Sequence, residues 1–195
     1  TYLRDLGLTV FSPYNIEMGK TILRALGVKR SLKEGAKFLV FQDSPGEGMQ
    51  ANIFKRFYWW EKQSTQSMEE TFGCQLIYRS WKELSESARN ISDDEARKVS
   101  ADWDIHQEGV SEACFLKAVK IYIAVKRVID EIGDVAGVGA NCLNESFYCD
   151  TTPCLAWNML FERDNIIFAC EGDTLTLLST YILYRSMEKP VMMTN

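Results

Sequence analysis

The feature that most constrains this chain is an alternation. Short, nearly continuous apolar runs are each followed by a longer stretch with helical spacing. Lys37-Phe38-Leu39-Val40-Phe41 is the core of a strand expected at 36–42, stopped by Asp43-Ser44-Pro45-Gly46. Further strands are expected at 74–78 (Cys74 to Tyr78), 135–140 (Val135 to Ala140), 166–170 (Ile166 to Cys170) and 191–194, after Pro190. Strands that are apolar on both faces belong to a parallel sheet covered by helices on both sides. The expected fold is therefore α/β: a three-layer αβα, Rossmann-like arrangement. Its open, mostly parallel sheet has about five strands, joined by right-handed crossovers.

The helices have their own signals. Met49, Ile53, Phe57 and Trp60 place a helix over about 49–71, with Gly73 as its stop. Trp81 to Ala88 is short and amphipathic. Ser92-Asp93-Asp94-Glu95 reads as a capping box, in which hydroxyl and carboxylate both satisfy free amides, opening a helix to about Asp102. Cys114, Ala118, Ile121, Val125, Val128 and Ile132 recur at 4-3-4-3-4 and stop at Gly133. Thr152 and Pro153 read as N-cap and first residue of a helix carrying Leu155, Met159 and Leu160. Asp173 can cap a last helix whose Leu175, Leu178 and Ile182 face the core. Residues 1–34, with a helical stretch from Ile16 to Leu26 ending near Gly27, read as an entry segment from an upstream domain. Residues 35–195 form the α/β domain. A start at Thr1 and an end just past the last strand lead us to expect a piece of a longer protein.

Composition removes several function classes. Apolar residues are 46% of the chain, with 12 Gly and 4 Pro, which excludes a disordered or collagen-like sequence. The formal charge of −5, from 22 basic and 27 acidic residues, argues against a polyanion binder, so no nucleic-acid partner is expected. The chain has no apolar run long enough to span a bilayer, so no membrane partner is expected either. The six cysteines lack CxxC spacing and several sit in apolar stretches, as reduced thiols of a cytoplasmic protein would. Cys142, Cys149 and Cys154 invite a zinc reading, but their spacing does not match common structural zinc sites. His106 is the only histidine, so neither a two-His metal site nor a Ser–His–Asp triad is available.

In an open parallel sheet, ligands bind beyond the carboxyl ends of the strands. Three loops lie there: 43–48, 141–152 and 171–173. The first has two glycines before a helix but no P-loop lysine, and Asp43 and Glu47 would repel a phosphate. The second and third follow strands expected to be near neighbours, so their side chains can converge. In the third, Glu171 and Asp173 flank Gly172. Two such acids repel each other unless a cation or hydrogen bonds compensate, and oxygen ligands suit Mg²⁺ or Mn²⁺. The simpler reading is that Asp173 caps a helix and Glu171 is solvated. Phe57-Tyr58-Trp59-Trp60 points all round its helix, giving either core plus exposed rings or a subunit or domain contact.

The run Asn141-Cys142 … Thr152-Pro153-Cys154-Leu155-Ala156 … Leu160 … Ala169-Cys170-Glu171-Gly172-Asp173-Thr174-Leu175-Thr176 … Lys189-Pro190 resembles the L-fucose isomerase and L-arabinose isomerase superfamily, in particular its fucose isomerase-like members. The similarity covers about 135–195 and extends more weakly back to 36. It implies an aldose–ketose isomerase acting on a monosaccharide with Mn²⁺ or Mg²⁺, homo-oligomeric at full length. The metal grips two adjacent sugar oxygens, and carboxylates move a proton between C1 and C2 through an enediol. The family's metal-binding Asp falls on Asp173 and the matching glycine on Gly172, and Glu171 lies within the motif. Where fucose isomerases carry a further catalytic Glu on the preceding helix, this chain has Pro153-Cys154; Glu145 or Asp150, upstream in the same loop, are the substitutes. The family's metal-binding His belongs to a later domain. The expected catalytic residues are Asp173, Glu171 and Glu145, with Asp173 on the metal. Two competing expectations are a non-catalytic carbohydrate-binding module and an oligomerisation module.

Overall fold

A computed structural model describes residues 2–43, 62–142, 148–191 and 193. In chain order its elements are α1 (Tyr2–Asp5), α2 (Ile16–Lys33), β1 (Lys37–Phe41), α3 (Lys62–Phe72), β2 (Gln75–Arg79), α4 (Trp81–Arg89), α5 (Asp93–Ser100) and α6 (Glu112–Ile132), then β3 (Val135–Ala140), α7 (Cys154–Asp164), β4 (Ile167–Ala169) and α8 (Thr174–Met187). The four strands pair entirely in parallel, in the order β2-β1-β3-β4. Helices cover both faces, which makes a three-layer αβα fold.

The strands alternate between two cores. Leu39 and Phe41 of β1 join Val138 and Ala140 of β3 under α4, α5, α6 and α7. Phe38 and the β4 residues Ile167 and Ala169 lie on the other face, under α2, α3 and α8. Trp81 and Trp157, both fully buried, fill the larger core. On the smaller face α8 comes close to β3: a Cβ on Gly137 would lie 3.0 Å from Leu177 and 3.1 Å from Phe38, so a side chain there would push its neighbours back. The pairing of β1 with β3 slips by one residue between Lys37 and Phe38, a bulge that turns Gly137 to the α8 side.

Four expectations are corrected. The fifth strand at 191–194 is absent from the described part of the sheet: Val191 and Met193 carry no ladder. Pro190 has no N–H to give, and the three-residue β4 remains the edge. Helix α2 runs through Gly27 to Lys33, because Val28 and Leu32 bury in the smaller core and outweigh the roughly 1 kcal/mol that a mid-helix glycine costs. The capping box is half built: Ser92 accepts from the Glu95 N–H at 3.1 Å, but the Glu95 carboxylate pairs with Arg127 at 2.7 Å. Pro153, with no side-chain cap bond, takes the N-cap of α7 in place of Thr152. The helix expected over 49–71 is described only from Lys62, and Phe57–Trp60 lie outside the described residues.

Candidate functional site at the carboxyl end of the sheet

The strand order puts a topological switch between β1 and β3. The chain leaves β1 for β2 on one side and leaves β3 for β4 on the other, so the two connections diverge and open a crevice above their carboxyl ends. The residues just beyond those ends are Gln42, Asp43, Asn141 and Cys142. Backbone bonds carry the ladder one step past the strands: Asn141 N–H donates to Phe41 O at 3.0 Å and Gln42 N–H to Arg79 O at 2.9 Å. The two amides therefore stand side by side.

Their side chains are left open. Asn141 is 0% exposed, yet among the described residues neither its Oδ1 nor its Nδ2 has a hydrogen-bond partner, and the enclosed Oε1 of Gln42 likewise has none there. Leaving such groups unmade costs on the order of 1–3 kcal/mol each, so they call for an explanation by function. Asp43, by contrast, is fully engaged. Its carboxylate accepts from the Ser80 hydroxyl and from the N–H groups of Trp81 (2.9 Å) and Lys82 (3.1 Å), anchoring the start of α4. That is a structural use of an acid at a helix N-terminus. The rest of the 43–48 loop lies outside the described residues.

Beside the crevice, β4 ends in a strained turn. Asp173 N–H donates to Cys170 O at 3.0 Å, and both intervening residues are left-handed, Glu171 at φ 60° and Gly172 at φ 65°. Two positive φ angles in succession are what a type I′ turn requires. Glycine takes this freely; glutamate does not, and such strain concentrates at functional sites. Asp173 then caps α8, accepting from Thr176 N–H at 2.9 Å and from the Thr176 hydroxyl at 2.6 Å. The capping expectation for Asp173 is met.

The turn also gathers thiols. Cys142 Sγ lies 3.9 Å from Cys170 Sγ, and Cys154, at the start of α7, is hydrogen-bonded to Cys170. Against the effect of burial, the contact with the Cys170 thiol and a backbone bond from Glu171 pull Cys142 down to about 7. Cys154 is pushed well up by donating to Cys170 and by burial. Cys170 is raised, chiefly by its bond to Cys142. The convergence expected of the second and third loops is thus carried by sulfur. Of the three cysteines whose spacing argued against zinc, Cys142 and Cys154 lie about Cys170, while Cys149 packs against the larger core beside a cavity of about 280 Å³ between α4 and α6. Asp150 lines that cavity and pairs with Arg89 at 3.4 Å. His106 is a surface residue, 3.8 Å from Glu108. Glu145 lies outside the described residues.

The described donors do not by themselves suit Mn²⁺ or Mg²⁺. Both Asp173 oxygens are taken by Thr176, the neighbouring thiols are soft ligands, and among the described residues no three His, Cys, Asp or Glu side chains are arranged to hold a metal ion. Among the described residues no helix is long and apolar enough to cross a membrane. Neither a family model nor a curated protein matches this chain.

Proposed function

We propose that the chain is the central α/β domain of an aldose–ketose isomerase of the fucose and arabinose isomerase type, and that it takes a monosaccharide in the crevice between β1 and β3. The carrying observation is the buried Asn141 amide, unpartnered at both atoms among the described residues, beside the enclosed and unpartnered Oε1 of half-buried Gln42. An asparagine side chain offers donors and an acceptor together, as vicinal sugar hydroxyls require, and it carries no charge to repel a neutral ligand. The resemblance across 135–195 supplies the reaction class. In this reading Asn141 binds and orients the sugar and Gln42 accepts from a hydroxyl. Glu171 and Asp173 stand at the adjacent strand end as the carboxylates for proton transfer. A divalent cation of the Mn²⁺ kind would supply polarisation of the sugar oxygens. Any such ion at Asp173 takes most of its ligands from outside the described residues, Glu145 or a further domain among them.

A second reading has its own observation. Each Asp173 oxygen already accepts a bond in capping α8, which favours a domain that binds sugar without turning it over. One experiment separates them. L-Fucose and L-arabinose are titrated into the chain while melting is followed, and aldose–ketose conversion is assayed with added Mn²⁺. Weak binding that Asn141→Ala removes supports both readings; conversion by a longer form of the protein, abolished by Asp173→Ala, selects the isomerase. Absence of binding and of conversion rejects both.

The proposal includes a cytoplasmic, homo-oligomeric protein. All six cysteines are free. On α2 and the segment before it, Tyr14, Ile16 and Leu23 are more than two-thirds exposed, an apolar face that suits association. Sedimentation as a strict monomer would remove the oligomer.

A further inference from the structure

We propose that Cys142 and Cys170 form an oxidisable dithiol, with Cys142 the sulfur that meets a hydroperoxide and Cys170 the sulfur that resolves it into a disulfide. The inference stands on placement and does not depend on the sugar-binding reading. The two sulfurs come from the carboxyl ends of neighbouring parallel strands and lie 3.9 Å apart, so a disulfide of about 2.05 Å needs only side-chain rotation and a small approach. Both residues are half-buried just beyond the ends of β3 and β4, so each keeps some exposure to a small oxidant. Cys142 Sγ has the Cys170 thiol within hydrogen-bonding distance, and the backbone N–H of Glu171 serves both sulfurs, an arrangement that lowers Cys142 and raises Cys170. The left-handed conformation of Glu171 belongs to the turn that delivers that N–H, which gives the strain at this glutamate a use. Such donors stabilise a thiolate, and the thiolate is the form that attacks peroxide.

The chemistry balances without further reagents. The Cys142 thiolate attacks the O–O bond of a hydroperoxide: an S–O bond forms, the O–O bond breaks, and the leaving alkoxide or hydroxide takes a proton. Sulfur is oxidised by two electrons to the sulfenic acid, and the peroxide is reduced to an alcohol or water. Cys170 sulfur then attacks Cys142 sulfur: the S–S bond forms, the S–O bond breaks, and hydroxide departs with the Cys170 proton as water. A dithiol reductant returns both sulfurs by exchange. Cys154 is a bystander, held as a thiol by its bond to Cys170.

The test treats the whole chain with one equivalent of hydrogen peroxide and maps the products by non-reducing digestion and mass spectrometry. The expected first product joins Cys142 to Cys170, with loss of two hydrogens, while Cys74 and Cys114 remain thiols. Cys170→Ser should stop at a Cys142 sulfenic acid that dimedone traps. Cys142→Ser should slow the reaction roughly fivefold, the gain left to a thiolate of lowered basicity once its reduced nucleophilicity is counted. The map on the unaltered chain needs no variant, so a misfolded serine variant does not protect the proposal. A first-formed bond that omits Cys142, dimedone spread evenly over the six cysteines, or unchanged kinetics in a folded Cys142→Ser chain overturns it.

Discussion

The two ends of the sheet are built on opposite terms. At the amino end the described polar groups are closed, but for the Ser186 hydroxyl in the last turn of α8. Lys37 Nζ donates to the Ile132 and Gly133 carbonyls at 3.0 and 3.1 Å, satisfying oxygens left over where α6 stops. The Glu69 carboxylate accepts from Leu76 N–H on the edge strand at 2.8 Å. Tyr122 donates to Asp164 at 3.0 Å, near the start of β4. At the carboxyl end, Gln42, Asn141 and the indoles of Trp81 and Trp157 account for five of the six buried side-chain atoms without a partner among the described residues, Ser186 holding the other. The same backbone ladder runs through both ends, so the sheet does not impose the difference. One end is nearly finished by the chain itself, and the other leaves several buried donors and acceptors without partners among the described residues.

The comparison can be broken by mutation. The largest effect is expected at the closed end, where Lys37→Met removes two charge-assisted bonds and should cost about 2–3 kcal/mol in denaturant unfolding. Asp43→Ala tests whether the open end also contains structural acids. Losing the anchor of α4 should cost about 1–2 kcal/mol and leave β1 intact. Glu171→Gly should do the reverse and stabilise by about 1 kcal/mol, because the left-handed angle no longer strains a side chain. A loss of stability there would mean that the Glu171 side chain carries more than its backbone. Asn141→Leu should stay within about 1 kcal/mol of the parent, since it deletes unpaired polar atoms, while abolishing any sugar-dependent rise in melting temperature.

The smallest effect is a pH dependence at the closed end. Burial and the bond to Asp164 push Tyr122 up to about 12. The folded form holds this proton more tightly than the unfolded chain. Tyr122 therefore contributes stability below the ordinary tyrosine range that is lost as pH rises from about 10 through 12. Tyr122→Phe should flatten the alkaline fall in melting temperature across that window.

The closed parts were the legible ones. Strands announced themselves by apolar runs, so residues 135–140 were bounded correctly and β1, β2 and β4 within a residue or two. The 4-3-4-3-4 spacing gave α6 its face, and Asp173 gave α8 its cap. What failed were decisions that tertiary contacts make. Gly27 reads as a stop until Val28 and Leu32 are seen to bury, and Glu95 reads as a box partner until α6 brings Arg127 near. In the site, the described ends of the loops lie beyond the strands as expected, but Gln42, Asn141 and the Cys142–Cys170 contact were not singled out. Gln42 and Asn141 are neutral amides with no spacing signature. The contact of Cys142 with Cys170 crosses 28 residues and depends on β3 and β4 being neighbours. The one available signal was Gly172 directly after an apolar strand, a residue suited to a left-handed turn position.

The turn at Cys170–Asp173 has a mechanical consequence. Within four residues it ends β4, presents an amide to Cys142 and sets the first bond of α8. No slack separates these tasks. Helix α8 is itself seated on the bare backbone of Gly137 and Gly139, with no β3 side chain between them to absorb a shift. A change of bonding at the Cys142 sulfur would therefore be felt as a pull on the first turn of α8, passed on to Tyr181 and through its contact with Ser31 at 3.1 Å to α2 on the outer surface.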